Sequence, residues 1–220
     1  MTIMLEVING NNLINKEITL TNKDKIKNKE ILKKVNKRVL YNSKIHGYYH
    51  SKRVFLFSYL IAKHEKLNEI DFQIIIDAAL YHDIGRINDY EDSLHGYCGV
   101  LKIDKIITHP IYKEQANLNI LKAIIDGHSV DDKHKDYFIK YYEIVDINRY
   151  YKLYKILKDA DALDRKRLGD DLDESFLRLN ISKKLVVLAG KINNIYKNKL
   201  FSTRYWQVLR KMLKYFIVTR

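Results

Sequence analysis

The sequence predicts an all-α protein, and three observations carry that expectation. Only one proline and eight glycines interrupt 220 residues, which leaves few tight turns and argues against an all-β sandwich. Two largely apolar runs, Val54 to Ala62 and Ile74 to Leu80, fall well short of the roughly 20 apolar residues that cross a bilayer, so both read as buried core helices. Between Lys23 and Val39, apolar Ile26, Ile31, Leu32, Val35 and Val39 recur among lysines, a spacing suited to an amphipathic helix. A chain of this length fits one domain, or a domain with an appendage, and can bury a substantial core. No internal repeat or Gly/Ser linker divides it. The expected organisation is an N-terminal arm over 1–22, a helical core over 23–170 and a C-terminal helical extension over 171–220 packed on that core.

Composition narrows the functional classes. The single cysteine, Cys98, excludes an intramolecular disulfide, and no stretch reads as a signal peptide or membrane span, so a reducing cytoplasm is expected. The net charge of +13 and pI near 9.5 suit attraction to nucleotides, nucleic acid or other phosphates. A genome-wide bias towards Lys, Asn, Ile and Tyr would produce the same charge.

Taken in order, the arm opens on apolar Ile3 to Ile8 and turns polar at Asn9 to Asn12. After the basic helix, Tyr41 to Tyr49 holds Gly47 and two histidines and leads into the Val54 helix, with His50 four residues ahead of the apolar run. Asn68-Glu69 begins the next helix, which ends at Tyr81-His82-Asp83-Ile84-Gly85-Arg86, with Gly85 expected to stop it in a left-handed conformation. An acidic loop follows to His95-Gly96. Helices are then expected over Tyr97 to Ile107, Glu114 to Ile125, Tyr137 to Asp146 and Tyr150 to Leu163. Gly127 is read as a stop signal, and Asp131 to Asp136 as a solvated charge cluster. Two or three further helices are expected from Asp173 onwards. The basic tail from Lys197 to Arg220, with Trp206, Leu209, Leu213 and Phe216, suits either its own domain or an anionic surface.

The His82-Asp83 pair places a neutral nitrogen donor and an anionic oxygen donor side by side at the tip of a buried helix. One cation can use both. Read alone, the pair suits a helix cap equally well. Short connections make successive helices antiparallel neighbours, which brings His50 to face the end of the His82 helix. In the Tyr150 helix, Asp161 borders the apolar face set by Leu153, Ile156, Leu157, Ala160 and Leu163, whereas Asp159 leans away from it.

The histidines near mid-chain helix ends, His50, His82, His95 and His128, give with Asp83 and Asp161 the order His, His-Asp, His, His, Asp. That order resembles the HD-domain superfamily of metal-dependent phosphohydrolases, which are all-helical. Three local strings carry the resemblance across about residues 44 to 167: His50-Ser51-Lys52-Arg53-Val54, His82-Asp83-Ile84-Gly85-Arg86 and Asp159-Ala160-Asp161-Ala162-Leu163-Asp164. It implies a single HD-type domain with extra C-terminal helices, in which His50, His82, Asp83 and Asp161 bind one metal. It also implies that His95 and His128 sit where two-metal members supply extra histidines, as ligands of a second metal bridged by Asp83 or as contacts to substrate phosphate. His46 is expected at the substrate, and His64, His109 and His134 as ordinary surface or core residues. No Glu-Asp closely follows the His-Asp pair and no His-His-Glu begins at His128, which argues against alarmone hydrolase and cyclic-di-GMP phosphodiesterase activities.

The reaction so implied is cleavage of a phosphate ester, of a nucleotide or a related small phosphorylated substrate, by a metal-activated water. Imidazole-rich sites with one or two carboxylates suit Mn, Fe, Co, Ni or Zn, and Mg often substitutes in phosphate chemistry, with one or two ions per chain. Asp83, Arg86 and Lys158 are the expected catalytic groups and His46, Arg165 and Arg167 the substrate-binding ones, although Arg86, Lys158, Arg165 and Arg167 each also suit a structural salt bridge, with Arg53 paired to an acid in the scaffold. Two alternatives stand. A phosphodiesterase or nuclease acting on cyclic or short oligonucleotides would use the charge together with Tyr141, Tyr142, Tyr150, Tyr151 and Tyr154, residues that equally suit packing between helices. A non-catalytic binding module would keep the metal for structure or sensing.

Overall fold

The computed structural model describes residues 21–168 and 172–197. The arm over 1–20, residues 169–171 and the tail from 198 lie outside the described residues. The described chain is helical with no strand. In order it forms α1 (Asn22–Lys34), α2 (Tyr48–His64), α3 (Glu69–Tyr81), α4 (His95–Ile103), α5 (Gln115–Gly127), α6 (Tyr137–Tyr141), α7 (Ile147–Asp164) and α8 (Asn180–Lys197), with short 3-10 turns between several of them.

Buried apolar side chains explain why α2, α3, α5 and α7 are central. Val54, Phe57 and Ile61 of α2, Ile74 and Ile75 of α3, Leu121 and Ile124 of α5, and Leu153, Ile156 and Leu157 of α7 are all fully buried. Helix α3 packs on α2, α5 and α7 together, so its apolar surface extends nearly all round rather than along one stripe. Helix α1 is held at its start by a capping box between Thr21 and Asp24. Asp24 also reaches α2, accepting from the Tyr59 hydroxyl at 2.7 Å and pairing with Lys63. Helix α8 lies against α7 and the turn after it, burying Ile181, Leu185, Ala189 and Ile192.

Several elements differ from the sequence expectation. The helix expected over Tyr137 to Asp146 is confined to Tyr137–Tyr141, and α7 begins at Ile147 because Asp146 caps it, accepting from the Arg149 N–H at 2.9 Å. Glycine scarcity is met by Lys66 and Glu143, which take the turn conformation with φ of 50° themselves. Gly85 does not end α3 through a left-handed residue. It is required by space, since a Cβ there would stand 1.9 Å from the His95 carbonyl oxygen and 2.3 Å from the Gly99 nitrogen. Gly127 is the last residue of α5, where a Cβ would meet the rings of Tyr154 and Phe138.

The charge cluster at Asp131 to Asp136 is only partly solvated. Asp132 pairs with Lys158 at 3.0 Å and with Arg178 at 2.6 Å, and it accepts from the Tyr154 hydroxyl. Asp159, expected to lean away from the apolar face of α7, is instead fully buried. It accepts from the N–H groups of Arg178 and Leu179 and from the Arg178 guanidinium, so it fastens the segment that leads into α8.

Candidate metal centre

Five helix ends meet at one place. Three of them, α3, α5 and α7, arrive with their C-termini, where unpaired carbonyls make the local field negative. His82 and His128 are the residues that immediately follow α3 and α5, and Asp161 lies in the last turn of α7. Helices α2 and α4 arrive with their N-termini, carrying His50 and His95. Asp83, two residues beyond the end of α3, stands in the middle.

Each imidazole is held by a bond at its Nδ1 atom. His82 donates to the Ala79 carbonyl at 3.0 Å, His128 to the Ile125 carbonyl at 2.5 Å, and His95 to the Asp92 carbonyl. In all three the partner lies three residues earlier in the chain, so the lock is local and belongs to the helix end itself. A carbonyl oxygen only accepts, which assigns the proton to Nδ1 and leaves a lone pair on Nε2. His50 is the exception. Its Nδ1 lies 2.7 Å from Oδ2 of the fully buried Asp164.

The four Nε2 atoms then converge on Asp83 in two groups. On the Oδ2 side stand His50 at 3.3 Å and His82 at 3.6 Å, and these rings also approach Asp161 Oδ1 at 3.2 and 3.7 Å. On the Oδ1 side stand His95 at 3.2 Å and His128 at 3.6 Å. Within each group the two Nε2 atoms face each other, at 3.0 Å for His50 with His82 and 2.9 Å for His95 with His128. For His95 and His128, whose Nδ1 atoms both donate to carbonyls, two lone pairs brought this close favour a positive centre between them.

Two buried polar atoms make the same point. Asp83 Oδ2 and His46 Nδ1 lie 3.2 Å apart, yet neither is hydrogen-bonded. A buried carboxylate oxygen without a partner is costly, and a cation shared with the neighbouring imidazoles would relieve it. Groups of donors able to hold a metal ion are His46, His50 and Asp83; His50, His82 and Asp161; and His82, Asp83 and His128. The donor set therefore fits a divalent ion of the borderline transition type.

Charge states follow from the same contacts. Burial pushes the His82 imidazole down to about 3, which keeps it neutral at ordinary pH. Burial also opposes charge on His50, but Asp161, Asp164 and Asp83 beside it outweigh that and raise it to about 10. Burial would raise both carboxylates, and the surrounding imidazoles reverse this. Asp83 ends well below the usual carboxylate range because of His82, His128, His46 and His50, and Asp161 because of His50 and His82.

The remaining site candidates divide. Arg86 donates from Nε to Asp83 Oδ1 at 2.9 Å and from Nη1 to the Tyr90 carbonyl, which puts its guanidinium at the centre. His46 is 18 % exposed and touches Asp83 directly, closer to the carboxylate than a purely substrate-facing residue would be. Arg167 contacts Asp164 Oδ2 at 3.0 Å and the Ile45 carbonyl at 3.1 Å, behind the His50 side. Lys158 is not brought to the cluster, because Asp132 and the Val130 carbonyl hold its ammonium. Arg165 is exposed. Arg53 does pair with an acid, and that acid is Asp164, through Nε at 2.5 Å and Nη2 at 3.0 Å. Asp164 received no role from the sequence, although it stands three residues after Asp161, the helical spacing that keeps two side chains on one face.

An all-helical scaffold whose converging helix ends gather four imidazoles and two carboxylates defines a protein with a buried candidate metal centre. The family model described as HD domain matches residues 47–166, more than half of the chain, and the protein belongs to that family. HD domains bind divalent metals and are in general metal-dependent hydrolases. Comparison with curated proteins and with solved structures gives no match. Among the described residues no helix is long and apolar enough to cross a membrane.

Proposed function

We propose that the protein is a metal-dependent phosphohydrolase that cleaves a phosphate ester of a nucleotide or related small phosphorylated substrate. The observation that carries the proposal is the convergence of four Nε2 atoms, each with its Nδ1 already engaged, on the two oxygens of one carboxylate. On this reading His50, His82, Asp83 and Asp161 would hold one divalent ion, and His95 and His128 together with Asp83 a second. Ions held there would lower the pKa of a bound water towards neutrality and offset negative charge on the phosphoryl oxygens.

The chain's own groups supply the rest. Asp83 stays ionised and ties the two halves of the site together. Arg86, already oriented by Asp83 and by the Tyr90 carbonyl, presents a guanidinium to phosphate oxygens. His46, partly exposed beside Asp83 Oδ2, is the imidazole placed to exchange a proton with solvent or with the leaving group. Asp164 fixes the His50 ring, and Arg53 and Arg167 hold Asp164 in turn. Lys158 and Arg165 take no part in the chemistry on this assignment. Residues 23–170 would form the catalytic unit and 171–220 its extension.

Metal analysis of the purified protein, followed by hydrolysis assays over mononucleotides, dinucleotides and short oligonucleotides, tests the proposal. Release of phosphate or nucleotide that is lost on chelation and restored by a divalent ion supports it. Binding without turnover across all three classes, at full metal occupancy, would leave a non-catalytic binding module instead.

The nuclease reading gains little support from the tyrosines. Tyr142, Tyr150 and Tyr154 are buried between helices and therefore closed to a strand, whereas Tyr141 is open.

A further inference from the structure

His95 differs from the other two carbonyl-locked imidazoles in where its lock is anchored. Ala79 and Ile125, the acceptors for His82 and His128, lie inside α3 and α5, whereas Asp92 precedes α4, in the loop that joins it to the His82-Asp83 turn. That loop runs over the surface, with Ile87 and Tyr90 at 79 and 80 % exposure. A carbonyl on such a loop orients a ring only as firmly as the loop itself is held.

A hydroxyl from the far helix holds the loop at this point. Ser129, next to His128, donates to the Ser93 carbonyl at 2.9 Å, one peptide on from the Asp92 carbonyl that receives His95. The Asp126 carbonyl lies farther from the same hydroxyl, at 3.3 Å, and a hydroxyl has one proton, so Ser93 is the preferred acceptor. Asp92 stiffens the turn from within, its side chain accepting from the Leu94 N–H at 2.8 Å. Packing closes the joint. A Cβ at Gly96, the residue after His95, would stand 2.5 Å from the Asp126 carbonyl oxygen, 2.7 Å from that of Ile125 and 2.8 Å from the Ser129 hydroxyl. The start of α4 is therefore pressed on the end of α5, and Ser129 fastens it there.

The joint serves one half of the centre. It connects the segments that carry His95 and His128, whose Nε2 atoms stand 2.9 Å apart. His50 takes its orientation from Asp164 and His82 from α3 itself, and the hydrogen bonds of Ser129 reach neither. We propose that Ser129 is a positioning residue for the second ion. Its bond to the Ser93 carbonyl keeps His95 in register with His128 and so sets the affinity of that half, while the half built on His50, His82 and Asp161 is indifferent to it. The proposal rests on the two-ion reading for what the His95 and His128 pair holds.

The test is calorimetric titration of the metal-stripped full chain with manganese(II), independent of turnover. Of the two binding steps, the one lost in His128→Ala is expected to weaken about tenfold in Ser129→Ala, the low end for losing a group that orients a liganding imidazole, while the other keeps its wild-type affinity. Ser129→Thr retains the hydroxyl and is expected to restore the weakened step. A second readout needs no metal. Imidazole proton–nitrogen correlation spectra of the stripped protein should show the His95 ring losing its fixed Nδ1–H tautomer in Ser129→Ala, with the His50 and His82 signals unmoved. Equal weakening of both steps would overturn the proposal, because the serine would then support the fold as a whole. Two ions bound with wild-type affinities in Ser129→Ala, or a His95 signal that does not respond to it, would overturn the proposal and leave the two-ion reading standing. A wild type that takes up fewer than two ions would overturn both.

Discussion

Asp164 Oδ2 stands 2.7 Å behind His50 Nδ1 while its carboxylate also receives Arg53, so one fully buried acid both orients a ring of the cluster and neutralises a buried guanidinium. Asp164→Asn should keep the shape and lose the charge, lowering metal affinity by roughly 10- to 100-fold, the usual effect of removing a carboxylate that orients a liganding imidazole. Asp164→Ala should also cost about 3–5 kcal/mol of stability, because Arg53 is left buried without its partner. Calorimetric metal titration and thermal unfolding separate the two effects.

Gly85 sits under the backbone of α4, with no room for a methyl group beside the His95 carbonyl. Backbone atoms yield less easily than the end of a side chain. Gly85→Ala should therefore destabilise by about 1–3 kcal/mol or more and displace His95 from Asp83. Thermal unfolding together with elemental analysis checks both parts, and an unchanged melting temperature would contradict them.

The clasp between α1 and α2 should fail in acid. Burial would raise the Asp24 carboxyl, but Lys63, Tyr59 and Thr21 together lower it from 3.8 to about 2. A carboxyl lowered in the folded state stabilises above its unfolded value, and that contribution fades as pH falls from about 4 through 2. Melting temperatures across that window should drop more steeply in the wild type than in Asp24→Asn.

Much of the centre was legible in the sequence because its histidines sit at helix ends and bind to carbonyls three residues earlier. His82, His95 and His128 are set by local chain geometry, and the apolar runs that lead to His50 and His82 mark their helices plainly. What escaped reading depends on distant contacts. Asp164 gains its place from Arg53, more than a hundred residues away, and Lys158 is drawn off by Asp132 and Val130. Gly85 was legible as a special position, but its reason is the approach of α4, which no local pattern encodes. The helix expected over Tyr137 to Asp146 stops short at Tyr141, and Asp146 instead caps α7.

Metal uptake should release protons. In protein stripped by a chelator, neighbouring carboxylates raise His50 to about 10, so at neutral pH an ion must displace its proton, whereas His82 is already neutral. Affinity should rise with pH up to about 10, by about tenfold per unit for one proton released. Calorimetry in buffers of different ionisation enthalpy counts that proton, and a binding enthalpy independent of buffer would contradict the assignment.

Asp83 joins both halves of the centre, so metal content in its absence tests the account most directly. Elemental analysis under saturating metal should find two ions per chain in the wild type, a reduced count in His95→Ala and in His128→Ala, and none retained in Asp83→Ala, whose circular dichroism spectrum should stay helical because the residue lies beyond the end of α3. Stoichiometric metal and full hydrolytic activity in Asp83→Ala would contradict the centre itself. Unchanged metal content in both histidine variants would reduce it to a single ion held by His50, His82, Asp83 and Asp161.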